Sequence, residues 1–575
     1  MIGASGVVLS KKILKWMCFA GCLLLMVAAV GVGCGSGKYR LAADEEVYGI
    51  LDDRRETILG ATNKFRIDTD LSKRPVEEVS GGEVVRDRYT GGGNRTLTLA
   101  EALELAVQAN RTYQFNREKL YLQGLALTGT RHQFALKFTS ASVDLGVGRS
   151  TDGSLKGDSD ATATLKKAFK AGGTVTASLA NDLVLYFDGN KPKVPSLTLN
   201  LTQPLLRGAG ADIAAEVLTQ AERDVIYEVR SFSHYQKQFA VDVVNDYLNL
   251  LQQGESMRLS YTNYINRGIF LQEIEARVQA GLQSEFEAKQ AKQSEFSAKL
   301  SYMSSTNTFQ NSLDDFKQKL ALPLGTEIRL DFGVLENLKQ MGLPPVPITD
   351  QAGYRLAITN RLDLLNTIDK FEDSKRKVRV ARQDLKPSLS IVADASLTDQ
   401  FYTSFQPEKF TANAGLKLDL PLDQLSERNA YRTSLISYER QLRSLATELD
   451  SLRDGVRTDV RNLVRQRENY FTQLAAEKNA AENLQATRER LRLGFPGVRT
   501  RDIITAQDQL LQAQLSVSKA SVDYHKTRLK LLKDVGILDT TQEAFWLKTI
   551  PVPGSPAVPA GPSQEIIPPH NILGQ

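Results

Sequence analysis

The chain has 575 residues, with 72 Lys and Arg against 67 Asp and Glu. This near balance excludes the concentrated basic charge of a polyanion binder, so no nucleic-acid partner is expected. A content of 42% hydrophobic and 24% charged residues excludes both a wholly disordered chain and a polytopic helical membrane protein.

The first 34 residues hold every cysteine: Cys18, Cys22 and Cys34. Disulfides, thiolate metal sites and a cysteine nucleophile are therefore excluded from the body of the protein. Lys11, Lys12 and Lys15 precede an uncharged run from Trp16 to Val32, the order of an export signal. The run stops at Gly33-Cys34-Gly35-Ser36, the pattern of a bacterial lipoprotein signal in which the cysteine becomes the acylated first residue. Residues 1–33 are read as that signal and Cys34 as the lipidation site. Cys22 and an uncleaved anchor helix are the alternatives. In each case the body leaves the cytoplasm. Residues 34–95, polar and broken by Gly81-Gly82 and Gly91-Gly92-Gly93, read as an irregular periplasmic linker.

A helical pattern starts at Thr96 with LTLAEALELAVQAN and runs to about Arg131. Period-two segments follow. In SVDLGVG, Val143, Leu145 and Val147 share one face; Gly173–Ala180 alternates likewise; in SLTLNLT, Leu197, Leu199 and Leu201 share one face. Pro204, without a donor for the ladder, ends this region. A long helical stretch starts near Ala211 and breaks at Ala280-Gly281. After the next proline, Pro323, residues 323–348 read as a connector.

The order then repeats, so that 96–322 and 349–540 read as two copies of one helix–strand–helix unit. A helix over about 349–384 precedes LSIVADASL and GLKLDL, and Pro421 stops the second strand. Pro204 and Pro421 are 217 residues apart, Arg277 and Arg490 213, and the pairs Asn110-Arg111 and Asn360-Arg361 250. The first strand region takes 69 residues and the second 35, so the first carries an inserted hairpin or long loop. The 68 residues from Ser426 to Leu493 would make a helix of about 100 Å. Its apolar residues Leu435, Leu442, Leu445, Leu449, Leu452 and Val456 keep coiled-coil spacing. A last helix runs from Arg501 to about Val535, and 541–575, with a proline-rich run, reads as a disordered tail.

About four strands per chain, apolar on one face and polar on the other, match pieces of a transmembrane β-barrel but are too few to close one. Several copies are required: two give 8 strands, three give 12. No metal-ligand spacing, phosphate loop, nucleophile elbow or paired-carboxylate motif is present, so no catalytic residue, metal site or cofactor is assigned.

This ordered set resembles the TolC-type outer-membrane efflux protein family across roughly residues 96–540. The resemblance rests on LTLAEALELAVQAN, LTLNLTQPLLRG, ARVQAGLQSEFEAKQA and RERLRLGFPGVRTRDIITAQDQL. It implies an α+β membrane protein: a trimeric outer-membrane β-barrel continued by a long periplasmic α-helical coiled-coil barrel, internally duplicated. It further implies a passive, gated exit duct in the outer membrane, working with a periplasmic adaptor (membrane fusion) protein and an inner-membrane pump, and no enzyme activity. Arg277, Gly281, Leu282 and Ser284 at the first helical tip, and Arg490, Gly494 and Thr500 at the second, would dock the adaptor. Asp502 would stand at a pore constriction. Each also has a plainer reading, since glycine ends helices, Ser284 and Thr500 suit N-caps, and Asp502 suits a helix start. The duct of a type I protein secretion system is a close alternative. A lipid-anchored periplasmic coiled-coil scaffold is a distant one, for which the alternating strands have no use.

Overall fold

The computed structural model describes residues 36–89, 93, 95–149, 155–186, 196–398, 410–495, 497–542 and 544–547. The expectations for the signal, for Cys22 and Cys34, and for residues 548–575 lie outside these. Among the described residues no helix is long and apolar enough to cross a membrane. The chain divides into two compact units, each assembled from three separate stretches.

The first unit takes residues up to Pro75, Phe115–Phe232 and Asn366–Arg443. Its stretch 36–75, expected to be irregular, starts with a 24-residue helix, α1 (Ser36–Leu59). The amphipathic signal is faint, but Val47, Tyr48 and Leu51 are buried. The Tyr121 hydroxyl donates to Asp44 Oδ1 at 2.6 Å, and Phe65 N–H donates to Asp52 Oδ1 at 2.8 Å. Phe65 also meets Phe232 edge-on, 6.0 Å between centroids. The segment folds because these few apolar and aromatic contacts reach a core that other parts of the chain supply. A short helix, α2 (Gly81–Tyr89), also falls within the stretch read as linker.

After the one-turn helix α5 (Ala211–Ala214), ionic packing ties the long helix α6 (Glu216–Gln279) to α10 (Leu362–Asp384) within this unit. Asp373, its side chain 4% exposed, accepts from the Tyr227 hydroxyl at 2.5 Å, Arg223 Nε at 2.5 Å and Arg376 Nη1 at 3.0 Å. Arg376 also reaches Glu216 at 2.5 Å, and Arg223 reaches Asp369 at 3.3 Å. Burial and the Asp373 carboxylate push the Tyr227 phenol well above its ordinary range.

The same unit holds one six-stranded antiparallel sheet in the order β2-β3-β4-β5-β7-β8. The strands are β2 (Lys137–Arg149), β3 (Leu155–Ala168), β4 (Thr174–Tyr186), β5 (Ser196–Pro204), β7 (Ser388–Thr398) and β8 (Phe410–Asp419). The expected count of about four is therefore too low. The insertion in the first repeat is a hairpin, β3 with β4, built into the sheet between β2 and β5. Pro204 and Pro421 stop their regions as expected, β5 ending at Pro204 and β8 two residues before Pro421.

The second unit takes Val76–Gln114, Ser233–Leu365 and the chain from Ser444 onward. Thr98 caps α3 (Leu99–Ala109), its side chain accepting from Glu101 N–H and Glu101 answering with a bond from Thr98 N–H. Thr96 and Leu97, read as the start of that helix, instead join Arg95, read as linker, in β1 (Arg95–Leu97), which pairs in parallel with β6 (Ile328–Leu330) of the connector. The helix breaks at Asn110, and α4 (Arg111–Gln133) follows. Its counterpart breaks between α9 (Asp350–Asn360) and α10. The two Asn-Arg pairs mark these breaks. The connector adds α8 (Gly333–Met341), whose Leu335 and Leu338 are buried. Three further long helices are α11 (Leu425–Arg492), α7 (Glu285–Lys319) and α12 (Thr500–Asp534). Residues 544–547, expected to belong to the disordered tail, pack here: Phe545 and Trp546 are buried, and Trp546 O accepts from Arg528 Nη1 at 3.1 Å.

His525 on α12 is 1% exposed. Burial first, and then the Arg528 charge, push its imidazole down to about 4. It is thus neutral in the fold, while the unfolded chain takes up a proton below about pH 6.5. Stability should fall from pH 7.5 to pH 5 by about 2 kcal/mol through this residue. Thermal melts of the protein and of His525→Phe at both pH values check it: the substituted protein should lose that share of the pH dependence.

Candidate functional site: the apolar sheet and the helical tips

Two surfaces are candidates. On the sheet, alternation and register act together. Ala163, Leu179, Leu197, Leu397 and Phe410 form one row across five strands, and Leu165, Ala177, Leu199, Ala395 and Ala412 form the next. A row between them on the other face reads Thr164, Ser178, Thr198, Ser396 and Thr411. Thr164 and Ser178 share a hydrogen bond of 3.2 Å, and Ser396 and Thr411 one of 2.7 Å. One face is thus apolar from strand to strand and the other is lined with hydroxyls. Among the described residues no layer covers the apolar face: Leu199 is 43% and Leu416 71% exposed. A continuous apolar surface left open in one chain marks a place for lipid or protein. The polar face, with its hydrogen-bonded rungs, suits water.

The tips lie in the second unit. Where α6 ends, Leu282 N–H donates to Arg277 O at 2.9 Å and Gly281 N–H to Val278 O at 3.0 Å. Where α11 ends, Phe495 N–H donates to Arg490 O at 3.1 Å and Gly494 N–H to Leu491 O at 3.3 Å. Both are Schellman turns, and both glycines take the left-handed conformation these need, with φ of +74° at Gly281 and +72° at Gly494. Arg277 and Arg490 therefore occupy the same position in two copies of one turn, as do Leu282 and Phe495. The turns meet: Arg277 Nη1 donates to Leu491 O at 3.2 Å. Beneath them Phe270, Ile274, Ala291, Leu491 and Ile503 form a buried cluster.

The helices leaving the tips are less alike. Glu287 caps α7 by accepting from Ser284 N–H at 3.4 Å. Asp502 does the same for α12 from Arg499 N–H, at 2.8 Å. The capping position of the second tip is thus Arg499. Thr500, read as a cap, is instead a buried first helical residue whose hydroxyl has no hydrogen-bond partner among the described residues. The Asp502 carboxylate serves this local cap. Leu282, Phe286, Leu493 and Phe495 are all more than half exposed, leaving an apolar tip surface.

Sequence reasoning missed Arg267. It is 1% exposed and joins three helices, donating to Ser294 Oγ at 2.7 Å, Ile504 O at 2.9 Å and Asp508 Oδ1 at 2.6 Å. Nothing in its local sequence distinguishes it from a surface arginine. Glu287 was findable, because Ser284-x-x-Glu287 has capping-box spacing.

Residues 353–536, most of the second repeat, match the model of the outer membrane efflux protein family. A comparison with curated proteins finds no match. Among solved structures the chain is similar to the transmembrane channel CusC, with 12% identity, a TM-score of 0.57, and coverage of 76% of this chain and 92% of that one. It is similar to the open state of the MtrE outer membrane channel of Neisseria gonorrhoeae, at 13% identity, TM-score 0.56, with 77% and 91% covered. It is also similar to the CmeC outer membrane channel of Campylobacter jejuni, at 15% identity, TM-score 0.55, with 76% and 85% covered. At such identities the likeness to these structures is one of fold. The sequence match is confined to the second repeat, and the likeness of fold to these channels extends over about three quarters of the chain.

Proposed function

We propose that the chain is the outer-membrane exit duct of a tripartite efflux system. In this reading three copies close a β-barrel in the outer membrane and continue it as a helical tunnel through the periplasm. The tips dock a periplasmic adaptor protein, and an inner-membrane pump supplies the energy. The observation that carries the reading is the sheet: strands of 9 to 14 residues, in register, apolar on one face and hydroxyl-lined on the other. A transmembrane β-strand needs about 9–11 residues. The apolar stripe of α11 supports it as well, because Leu442 is 46% exposed in one chain while Leu452 and Val456 are buried.

A substitution at the tip tests the docking half. Leu282 is 71% exposed, so Leu282→Asp should change the stability of the chain by no more than about 0.5 kcal/mol. Docked against an adaptor, the new carboxylate would be buried unpaired, at a cost of several kcal/mol. Oligomer yield in the outer membrane should stay normal while export is lost. Normal export would remove Leu282 from the docking surface, and a loss of oligomer would make the residue structural.

We further propose acylation at Cys34, which would tether the mature chain to the membrane by its first residue. Mass spectrometry of the mature N-terminus should find lipid on Cys34; an unmodified terminus elsewhere would exclude it.

A further inference from the structure

We propose that the hairpin inserted in the first repeat is part of the membrane wall, so that each copy contributes six strands and a three-copy barrel has 18. The inference rests on the exit-duct reading above and concerns the size of its pore.

Three observations carry it. The first is length. β3 has 14 residues and β4 has 13, each enough to span a bilayer, where a surface loop would need no such match. The second is register. β3 pairs along β2 from Lys137↔Lys166 to Arg149↔Leu155, and β4 pairs along β5 from Thr174↔Thr202 to Ala180↔Ser196. A one-residue slip would put the hairpin's apolar residues on the polar face. Instead Ala163 and Leu179 continue the apolar row of Leu197, and Thr164 and Ser178 continue the hydroxyl row of Thr198. The third is where the hairpin turns. Residues 169–173 close with a bond from Phe169 N–H to Gly173 O at 2.8 Å. Ala171 O then accepts from Gly210 N–H and Gln203 Nε2, both at 3.4 Å. Gln203 and Gly210 lie where β5 gives way to the long helix. The hairpin therefore crosses the whole sheet and returns, turning at the end where the helices leave.

Six is also a number that closes. Among the described residues β2 and β8 are the two edges of the sheet. Strand direction alternates through all six, so β8 of one copy and β2 of the next run antiparallel, and a ring forms without a parallel joint. The partner for each edge is thus a second copy of this chain. Barrel diameter grows roughly linearly with strand number, so 18 strands give a barrel about half again as wide as 12. Barrels of about 16–18 strands hold an open aqueous channel.

The body of the chain beyond Cys34 has no cysteine, so an introduced thiol there is unique. Ala163→Cys, Leu179→Cys, Thr164→Cys and Ser178→Cys place one probe at a time on the two faces of the hairpin. Leu199→Cys on β5 is the reference for the wall. Each full-length protein, reconstituted in vesicles and labelled with a fluorophore, is exposed to acyl-chain nitroxide lipid and to aqueous iodide. We expect the lipid nitroxide to quench positions 163 and 179 as strongly as 199. Positions 164 and 178 should be quenched by iodide only, and native mass spectrometry should give three copies. Lipid quenching at 199 but not at 163 and 179 would put the hairpin outside the bilayer and overturn the proposal. Failure at 199 as well would overturn the membrane reading itself and the proposal with it. A copy number other than three would overturn the count of 18.

Discussion

Leu199→Arg should abolish the assembled oligomer, whereas Thr198→Arg, its neighbour in the same strand, should leave assembly near normal. Leu199 lies in the middle of β5, between Ala177 and Ala395 on the apolar face. An arginine on the lipid face near the bilayer midplane costs about 2–4 kcal/mol. Each copy bears that cost, so a closed oligomer suffers it several times over. Thr198 lies on the opposite face among Ser178 and Ser396. A long cation there can extend into water and keep its hydration. Heat-modifiable oligomer in outer-membrane fractions measures both. Equal loss for both substitutions would mean that the faces are not divided between lipid and water.

Asp373→Ala should lower the stability of the first unit by about 3–5 kcal/mol, the penalty for removing one partner of a buried charged network. The carboxylate is 4% exposed and is shared by Tyr227, Arg223 and Arg376. Without it the phenol loses its 2.5 Å acceptor, and two guanidinium groups lose the charge between them. Glu216 and Asp369 remain, so neither arginine is stripped of all partners. Asp373→Asn keeps the shape and one acceptor oxygen, and should cost clearly less. Denaturant melts of the purified protein compare the three. A loss under about 0.5 kcal/mol for Asp373→Ala would place the network among exposed ion pairs of little worth.

The fold was legible wherever one element states its own pattern. Pro204 and Pro421 stop strands because proline lacks a ladder donor, and that needs no tertiary information. The matching turns at Gly281 and Gly494 follow from local backbone chemistry, whereas the helix breaks at Asn110 and Asn360-Arg361 were read through as continuous helix, although both pairs were noted as a repeat. β3 was missed for a physical reason. In Leu155–Ala168 the residues on the apolar side include Ala161 and Ala163, and such small residues give little contrast with Thr162 and Thr164. The pattern emerges only once β2 and β4 fix the register. α1 was missed because Val47, Tyr48 and Leu51 are its few buried apolar residues, and the surface they cover comes from Tyr121 and its neighbours far along the chain. At the second tip, the extra residues around Gly497 move the helix start, so Arg499 stands at the cap where a hydroxyl was expected and Thr500 turns inward. Arg267 was beyond reach, since its three partners lie 27 to 241 residues away.

The central claim is that this chain forms a passive water-filled pore through a lipid bilayer. Single-channel recording tests it most directly, with the purified, folded oligomer added to a planar bilayer. The account predicts discrete conductance steps, with current carried without any energy source. An oligomer that retains its strand content and inserts into lipid, yet never conducts, would contradict it.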